Sequence, residues 1–375
     1  MRRWLVALLP VVGVLAAYLL AWPVPIEARV WVAQADAGHT GPHAVNTALA
    51  DLQTLDLGGE EGPEHVQVGP DGWLYVAVAS GKLLRMRPDG SERQVFADTG
   101  GRVLGFDVDR AGHLIAADAV RGLLRIDPAG QVTVLVDLVE GVPMLYADAV
   151  AVSRAEGSAE RFYVSDASQR FGARDWGGTF EASLLDIIEQ SATGRVLVHE
   201  PATGQTAVVV EGLSFANGVT LSADEQTLFV AETGRYRIWA VPASARNLDL
   251  SQGPAGGARI VFDNLPGYPD NLMRGLDGRI WVGLTKPRSP LVDRMAAHPL
   301  LREMTLRLPR ALWPIPRAYG HVFAFTEDGR VVADWQDPSG AYPETTAITE
   351  TPDRLYVQSL HARALGWLPR PESLR

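Results

Sequence analysis

Cysteine is missing altogether from the 375 residues. Disulfides, thiolate zinc sites and cysteine nucleophiles are thereby excluded, while the compartment stays open, because many exported proteins also lack cysteine. Positive charge is scarce as well. The 34 Lys and Arg face 44 Asp and Glu, for a formal net charge of −10, and no basic stripe appears. A nucleic-acid partner is excluded on that ground, since phosphate binding needs clustered cations. Acidic excess suits cation binding, although most acidic proteins are merely soluble. Helical periodicity is sparse beyond the N-terminus. What remains is ordinary core material, 47% hydrophobic, enough for one large all-β domain.

One long apolar run stands at the start. Arg2 and Arg3 precede Trp4 to Trp22, which carries no charged residue. Its length matches a bilayer-spanning helix, and Pro10 is tolerable in one. Residues 1–25 are therefore expected to be a transmembrane helix or signal-anchor. The arginines would stay cytoplasmic and the C-terminal body would lie on the periplasmic or extracellular face. The alternative is a cleaved signal and a secreted protein, but the run ends in Leu-Leu-Ala-Trp-Pro, a poor cleavage site. Residues 26–54 then read as a linker punctuated by Gly and Pro. His39 and His43 have the look of a metal pair, with an exposed linker as the simpler reading.

From residue 55 to 370 a unit recurs: an Asp/Gly turn, an alternating apolar strand, a second turn and a return strand. It is seen at Gly-Pro-Asp-Gly-Trp-Leu-Tyr-Val (69–76), Asp109 to Asp118, Arg161 to Asp166, Ser222 to Glu232, Asp277 to Gly283 and Thr351 to Gln358. Six copies at a few tens of residues mark a repeat architecture. The expected fold is all-β, a six-bladed β-propeller; a stacked solenoid has shorter, more even repeats. An insertion at 286–320 interrupts the fifth copy, with apolar residues at helical spacing near Met295 to Leu306. It reads as a lid, a membrane-facing segment or a packed surface excursion.

Loops that lead into the blades crowd round a propeller's channel, so polar residues just ahead of the repeated strand carry the interest. These are Glu64, Asp148, Asn217, Asp270 and Asn271, all in one register. Each alone reads as a turn cap. As a set of oxygen donors they suit a hard cation, Ca²⁺ more than Zn²⁺.

Phe-Ala-Asn-Gly-Val-Thr-Leu-Ser (215–222) with Glu-Thr-Gly-Arg-Tyr-Arg-Ile-Trp (232–239), and Leu-Pro-Gly-Tyr-Pro-Asp-Asn-Leu (265–272) with Gly-Arg-Ile-Trp-Val-Gly (278–283), resemble the strictosidine synthase-like proteins. These are grouped with the gluconolactonase, regucalcin and paraoxonase propellers, which depend on calcium. The resemblance implies a metal in the central channel held by Glu64, Asp148, Asn217 and Asp270, with Asn271 as a further ligand. Asp148 replaces the more usual Asn. The position of the synthase's acid/base glutamate falls near Thr346, which argues against amine–aldehyde condensation. The histidine of paraoxonases falls near Leu104. His65 and His361 could each approach the channel, with local hydrogen bonding as the simpler role. Asp118, Asp166 and Glu232 end the repeated strands and read as bonds to a neighbouring blade's backbone, a second cation or a substrate contact. Trp281 reads as blade core. Arg274 reads as a substrate-orienting group or a surface arginine.

With these oxygen donors, the resemblance implies a calcium-dependent hydrolase of a lactone or ester, with Ca²⁺ polarising the carbonyl and Asp270 or Asp148 as general base. A non-catalytic calcium-binding scaffold is the second expectation, and a C–N-forming synthase the third.

Overall fold

The computed structural model describes residues 2–155 and 157–374, with side chains from residue 10 onward. Six blade sheets follow one another along the chain, antiparallel except that Leu248–Asp249 adds a parallel edge to Gln205–Leu213 in the third. Blade one is His65–Val68, Leu74–Ala77, Lys82–Met86 and Gln94–Asp98. Blade two runs from Val103–Val108 to Val132–Val136, blade three from Ala147–Val152 to Gln205–Leu213, and blade four from Ala216–Leu221 to Arg259–Phe262. Blade five runs from Gly267–Arg274 to Val331–Asp337. Blade six combines both ends of the chain. Its inner strands are Thr345–Glu350, Arg354–Ser359 and Ala364–Pro369, and Gln53–Asp56 pairs with the last of these, Gln53 opposite Trp367 and Asp56 opposite Ala364. That pairing closes the ring and removes a sheet edge. The six-bladed all-β propeller expected from the repeats is the fold observed.

The repeated strands are the second in each blade. The first strands contact one another from blade to blade and line the axis. Turn chemistry explains the repeat. Asp109 Oδ1 accepts from the backbone N–H of Ala111 and His113, and Gly112 takes the φ of +83° that the turn needs. Between blades the interiors are filled by aromatic and aliphatic side chains. Trp239 and Trp281 are fully buried, and Trp281 is blade core as expected. Truncating such a side chain costs about 3–5 kcal/mol.

Helix α1 (Arg2–Ala21) precedes the propeller, α2 (Thr179–Glu189) lies between the second and third strands of blade three, and the fifth-blade insertion forms α3 (Pro290–Met295) and α4 (Pro299–Leu306). Helix α2 and the fifth-blade insertion stand over one end of the channel.

The membrane anchor is corrected. Among the described residues no helix is long and apolar enough to cross a membrane. The side chains of residues 4–9, part of the expected span, lie outside the described residues. The last turn of α1 is instead tied to the body. Arg307 donates to the Leu19 and Trp22 carbonyls at 3.0 and 2.6 Å, and Tyr18 donates to the Arg307 carbonyl. These bonds satisfy carbonyls left orphaned at a helix end. The placement of the propeller outside the cytoplasm by an anchored helix falls with the span.

The expected linker is docked as well. Ile26 and Leu49 are buried. Arg29 N donates to the Glu189 carbonyl at 2.8 Å and Trp31 N to Ala296 at 3.2 Å. This segment straps α2 and the insertion to the body.

Candidate active site and metal centre

Each innermost strand of blades two to six breaks register with its neighbour near its start. The shifts fall at Val103/Gly105, Ala147/Val150, Ala216/Val219, Pro269/Leu272 and Thr345/Ile348. A bulge re-aims the residues it contains. The residues inside these bulges are Leu104, Asp148, Asn217, Asp270 with Asn271, and Thr346. Glu64 immediately precedes the first strand of blade one. The register read from the sequence is therefore a structural register.

Glu64, Asp148, Asn217 and Asp270 line one cavity with Arg102, Tyr146 and His361. All four are buried, from 2% exposed for Glu64 to 6% for Asp270. Asn271 is displaced from this set. It lines the cavity at the opposite end of the channel, and its amide donates to the Glu64 carbonyl at 3.2 Å. His65 also faces that opposite cavity, where burial lowers its pKa to about 4.

The electrostatics of the set are strained. Burial pushes the Glu64 carboxyl up to about 7, against the pull of Arg102. Asp148 and Asp270 are driven well above the usual carboxylate range, first by burial and then by the neighbouring carboxylates. An Arg102 guanidinium nitrogen lies 3.2 Å from Glu64 Oε2, and His361 adds its pull on the same carboxyl. Asn217 Oδ1 and Asn271 Oδ1 are buried without any partner. Buried acceptors of this kind call for an occupant. Ionised together, the three carboxylates would carry two negative charges beyond the one that the Arg102 guanidinium offsets. With only oxygen donors on offer, the residues fit a hard divalent cation.

Asp118, Asp166 and Glu232 support the ring from behind. Each binds the start of its own blade, where a neighbouring blade had been expected. Asp118 Oδ1 accepts from Arg102 N at 3.0 Å, Asp166 Oδ1 from Tyr146 N at 3.1 Å, and Glu232 Oε1 from Ser214 N at 2.9 Å. These bonds anchor the segments that carry the bulges. Arg274 is remote from the cavity, held by the Leu221 carbonyl and Glu327. The Thr346 hydroxyl is buried and donates to the Glu64 carbonyl at 2.8 Å, so it orders the ring and transfers no proton. Leu104 lines the cavity wall.

The structure adds three features to the sequence reading, which had already named His361 among the residues able to approach the channel. Arg102 keeps a second guanidinium nitrogen, Nη1, buried and unpartnered. His361 stands at the cavity with Nδ1 bound to Glu344, whose other oxygen binds Lys286. Finally, an apolar pocket of about 110 Å³ opens beside Asn217 and Asp270, walled by Phe180, Leu184 and Ile187 of α2 and by Trp313 and Ile315 of the insertion. The insertion is thus a roof over the site. Arg102 and Glu344 do occupy the loops that lead into blades two and six, but charge alone gave no reason to single them out.

The model of the strictosidine synthase-like N-terminal region matches residues 41–86, and that of strictosidine synthase matches 148–241. The chain is 30% identical over 325 residues to adipocyte plasma membrane-associated protein of Salmo salar, covering 80% of this chain and 73% of that one. The chain belongs to the strictosidine synthase-like family. A second relative in this family, protein strictosidine synthase-like 10 of Arabidopsis thaliana, is 29% identical over 342 residues, covering 84% of this chain and 87% of its own length. Among solved structures, a gluconolactonase of Xanthomonas campestris superposes with a TM-score of 0.59 at 19% identity, covering 93% of this chain and 97% of that one. The calcium-binding protein regucalcin of Agrobacterium tumefaciens superposes at 0.55 and 16%, covering 84% and 93%. At such identities the likeness establishes the fold of this strictosidine synthase-like protein and nothing finer.

Proposed function

We propose that this strictosidine synthase-like protein is a calcium-dependent hydrolase of a lactone or ester. The observation that carries the reading is the convergence of Glu64, Asp148, Asp270 and the unpartnered Asn217 Oδ1 on a cavity that continues into an apolar pocket. Glu64, Asp148, Asn217 and Asp270 would hold the cation, and Asn271 would hold the Glu64 segment in place through its bond to the Glu64 carbonyl. Bound there, Ca²⁺ would supply Lewis-acid polarisation of a carbonyl oxygen. The regucalcin and gluconolactonase neighbours, one described as calcium-binding, support the choice of ion and reaction class.

The chain's own groups supply the rest. Phe180, Ile187, Trp313 and Ile315 would take the apolar part of the substrate and exclude water around the reacting group. Arg102 Nη1 offers a buried N–H to developing negative charge. Asp148 and Asp270 would be engaged by the cation, and a carboxylate so engaged is a poor base. His361 is better matched. Its Nδ1 is fixed by Glu344, which leaves Nε2 to receive a proton from water and return it to the leaving oxygen. The Asp270→Ala variant should lose calcium binding by calorimetry and turnover of lactones and aryl esters together, and EGTA should abolish turnover of the parent. Full activity without calcium, or inertness of the calcium-replete protein against the whole panel, would sink the reading, and the second outcome would favour a scaffold.

A further inference from the structure

Far from the channel, on the outer half of blade five, two imidazoles converge on one carboxylate oxygen. His43 Nδ1 lies 2.7 Å and His321 Nε2 2.8 Å from Asp334 Oδ2. The ligand atoms of the three residues all fall within 4.8 Å of one another. The cluster is enclosed: the His43, His321 and Asp334 side chains are 12%, 2% and 5% exposed. His39 adjoins it, stacked on Tyr319 at 4.9 Å with its ring 5.4 Å from that of His321, and its buried Nε2 has no partner.

Sheet register builds half of this arrangement. His321 in Gly320–Thr326 pairs with Gln336 in Val331–Asp337. Asp334 is two residues from Gln336 on the same face, the diagonal reach of long side chains. The other half comes from the segment that straps the blade. A short 3-10 turn, Gly41–His43, places His43 over the sheet, with His39 one turn earlier. The far oxygen of Asp334 is held too: Oδ1 accepts from Gln336 Nε2 at 2.5 Å and Asn46 Nδ2 at 3.4 Å. Tyr319 in turn donates to Gln336 Oε1 at 2.7 Å. Outer hydrogen bonds of this kind orient ligands in metal sites.

We propose that His43, His321 and Asp334, with His39 as the fourth ligand, form a structural site for a borderline divalent transition metal, zinc foremost, that clamps the N-terminal strap to blade five. Nitrogen donors with one carboxylate suit Zn²⁺ and not Ca²⁺. The site is therefore chemically distinct from the all-oxygen channel site and independent of the hydrolase reading. Enclosure of the cluster between the strap and blade five, away from the channel, makes its role structural.

The test uses the full-length, untagged protein stripped with a chelator. Zn²⁺ is titrated in the presence of saturating Ca²⁺ by calorimetry and by competition with a chromophoric chelator. One tight equivalent is expected, with a rise in Tm that calcium does not reproduce. His43→Ala and Asp334→Asn should each weaken that equivalent by about tenfold to a hundredfold, whereas Asp270→Ala should leave it intact. His39→Gln, at the rim, serves as the variant least able to disturb folding and should weaken it too. Co²⁺ bound in place of zinc should show the intense visible absorption of a four-coordinate site, lost in His321→Ala. Absence of a tight equivalent, or one that survives the His43, Asp334 and His39 changes in folded protein, overturns the proposal.

Discussion

Gly218 and Asp270 lie backbone to backbone across the channel wall. A Cβ on Gly218 would stand 2.4 Å from the Asp270 carbonyl oxygen and 2.4 Å from Leu272 N. Neither neighbour is a flexible side chain, so the bulge that aims Asp270 would have to move. Gly218 is thus the spacer that lets blade four and blade five present Asn217 and Asp270 to the same cavity.

Gly218→Ala should therefore cost about 1–3 kcal/mol of stability, as overpacking does, and weaken calcium binding by more than that loss alone explains. Denaturant titration with and without calcium separates the two effects. Unchanged calcium affinity would show that the spacing does not set the ring.

His361 and Glu344 should give the rate its pH dependence. The bond from Glu344 raises the His361 pKa above its ordinary 6.5 against the effect of burial, with Glu64 adding to the rise and Lys286 opposing it. Neutral imidazole, the base, then prevails only at higher pH, so kcat should climb through a limb above pH 6.5. Glu344→Gln should move that limb to lower pH, and His361→Ala should remove it while lowering kcat by about 10²-fold or more. The sign for stability is opposite. A raised His361 pKa gives stability that is full below the unfolded value and lost as pH rises through the folded one. For Glu344, burial raises the pKa but the bonds from His361 and Lys286 win and lower it. Its contribution is full above the unfolded value and lost as pH falls through the depressed one. The pair is strongest between those two limits.

Asp118 is fully buried and accepts from the backbone N–H groups of Arg102, Val120 and Arg121 and from the Thr99 hydroxyl. Asp118→Ala would leave the Arg102 and Val120 N–H groups without their acceptor, at a cost on the order of 3 kcal/mol. Because Arg102 is among them, the variant should also loosen the guanidinium that faces Glu64. Lower Tm together with a raised KM checks this; a Tm drop with unchanged kinetics would confine Asp118 to stability.

The propeller was legible where a strand follows a turn with its own chemistry, as Leu74–Ala77 follows Asp71-Gly72 and Leu114–Asp118 follows Asp109 to Gly112. The innermost strands were harder to see. Ala147–Val152 and Ala216–Leu221 are buried at every position, so they lack alternation, and their bulges break whatever period remains. Helix α2 hid for a similar reason: it buries Asp186 and Glu189 as well as Ala182 and Leu185, which blurs an amphipathic stripe. The apolar N-terminal run was read as a span from length alone, and the docking of its last turn on Arg307 had no local signature.

The sequence by itself determined the six repeats, the oxygen donors Glu64, Asp148, Asn217 and Asp270, and the family. Each depends on residues near one another in the chain, whose turns and strand periods are local. Tertiary structure alone decided which of those donors share a cavity, that Asn271 faces the other end, and that Arg102 and the His361–Glu344 pair join the site. It also brought His43 onto Asp334, 291 residues away. Closing a ring brings distant blades together by packing and sheet pairing, and contacts made that way leave no spacing in the sequence to read.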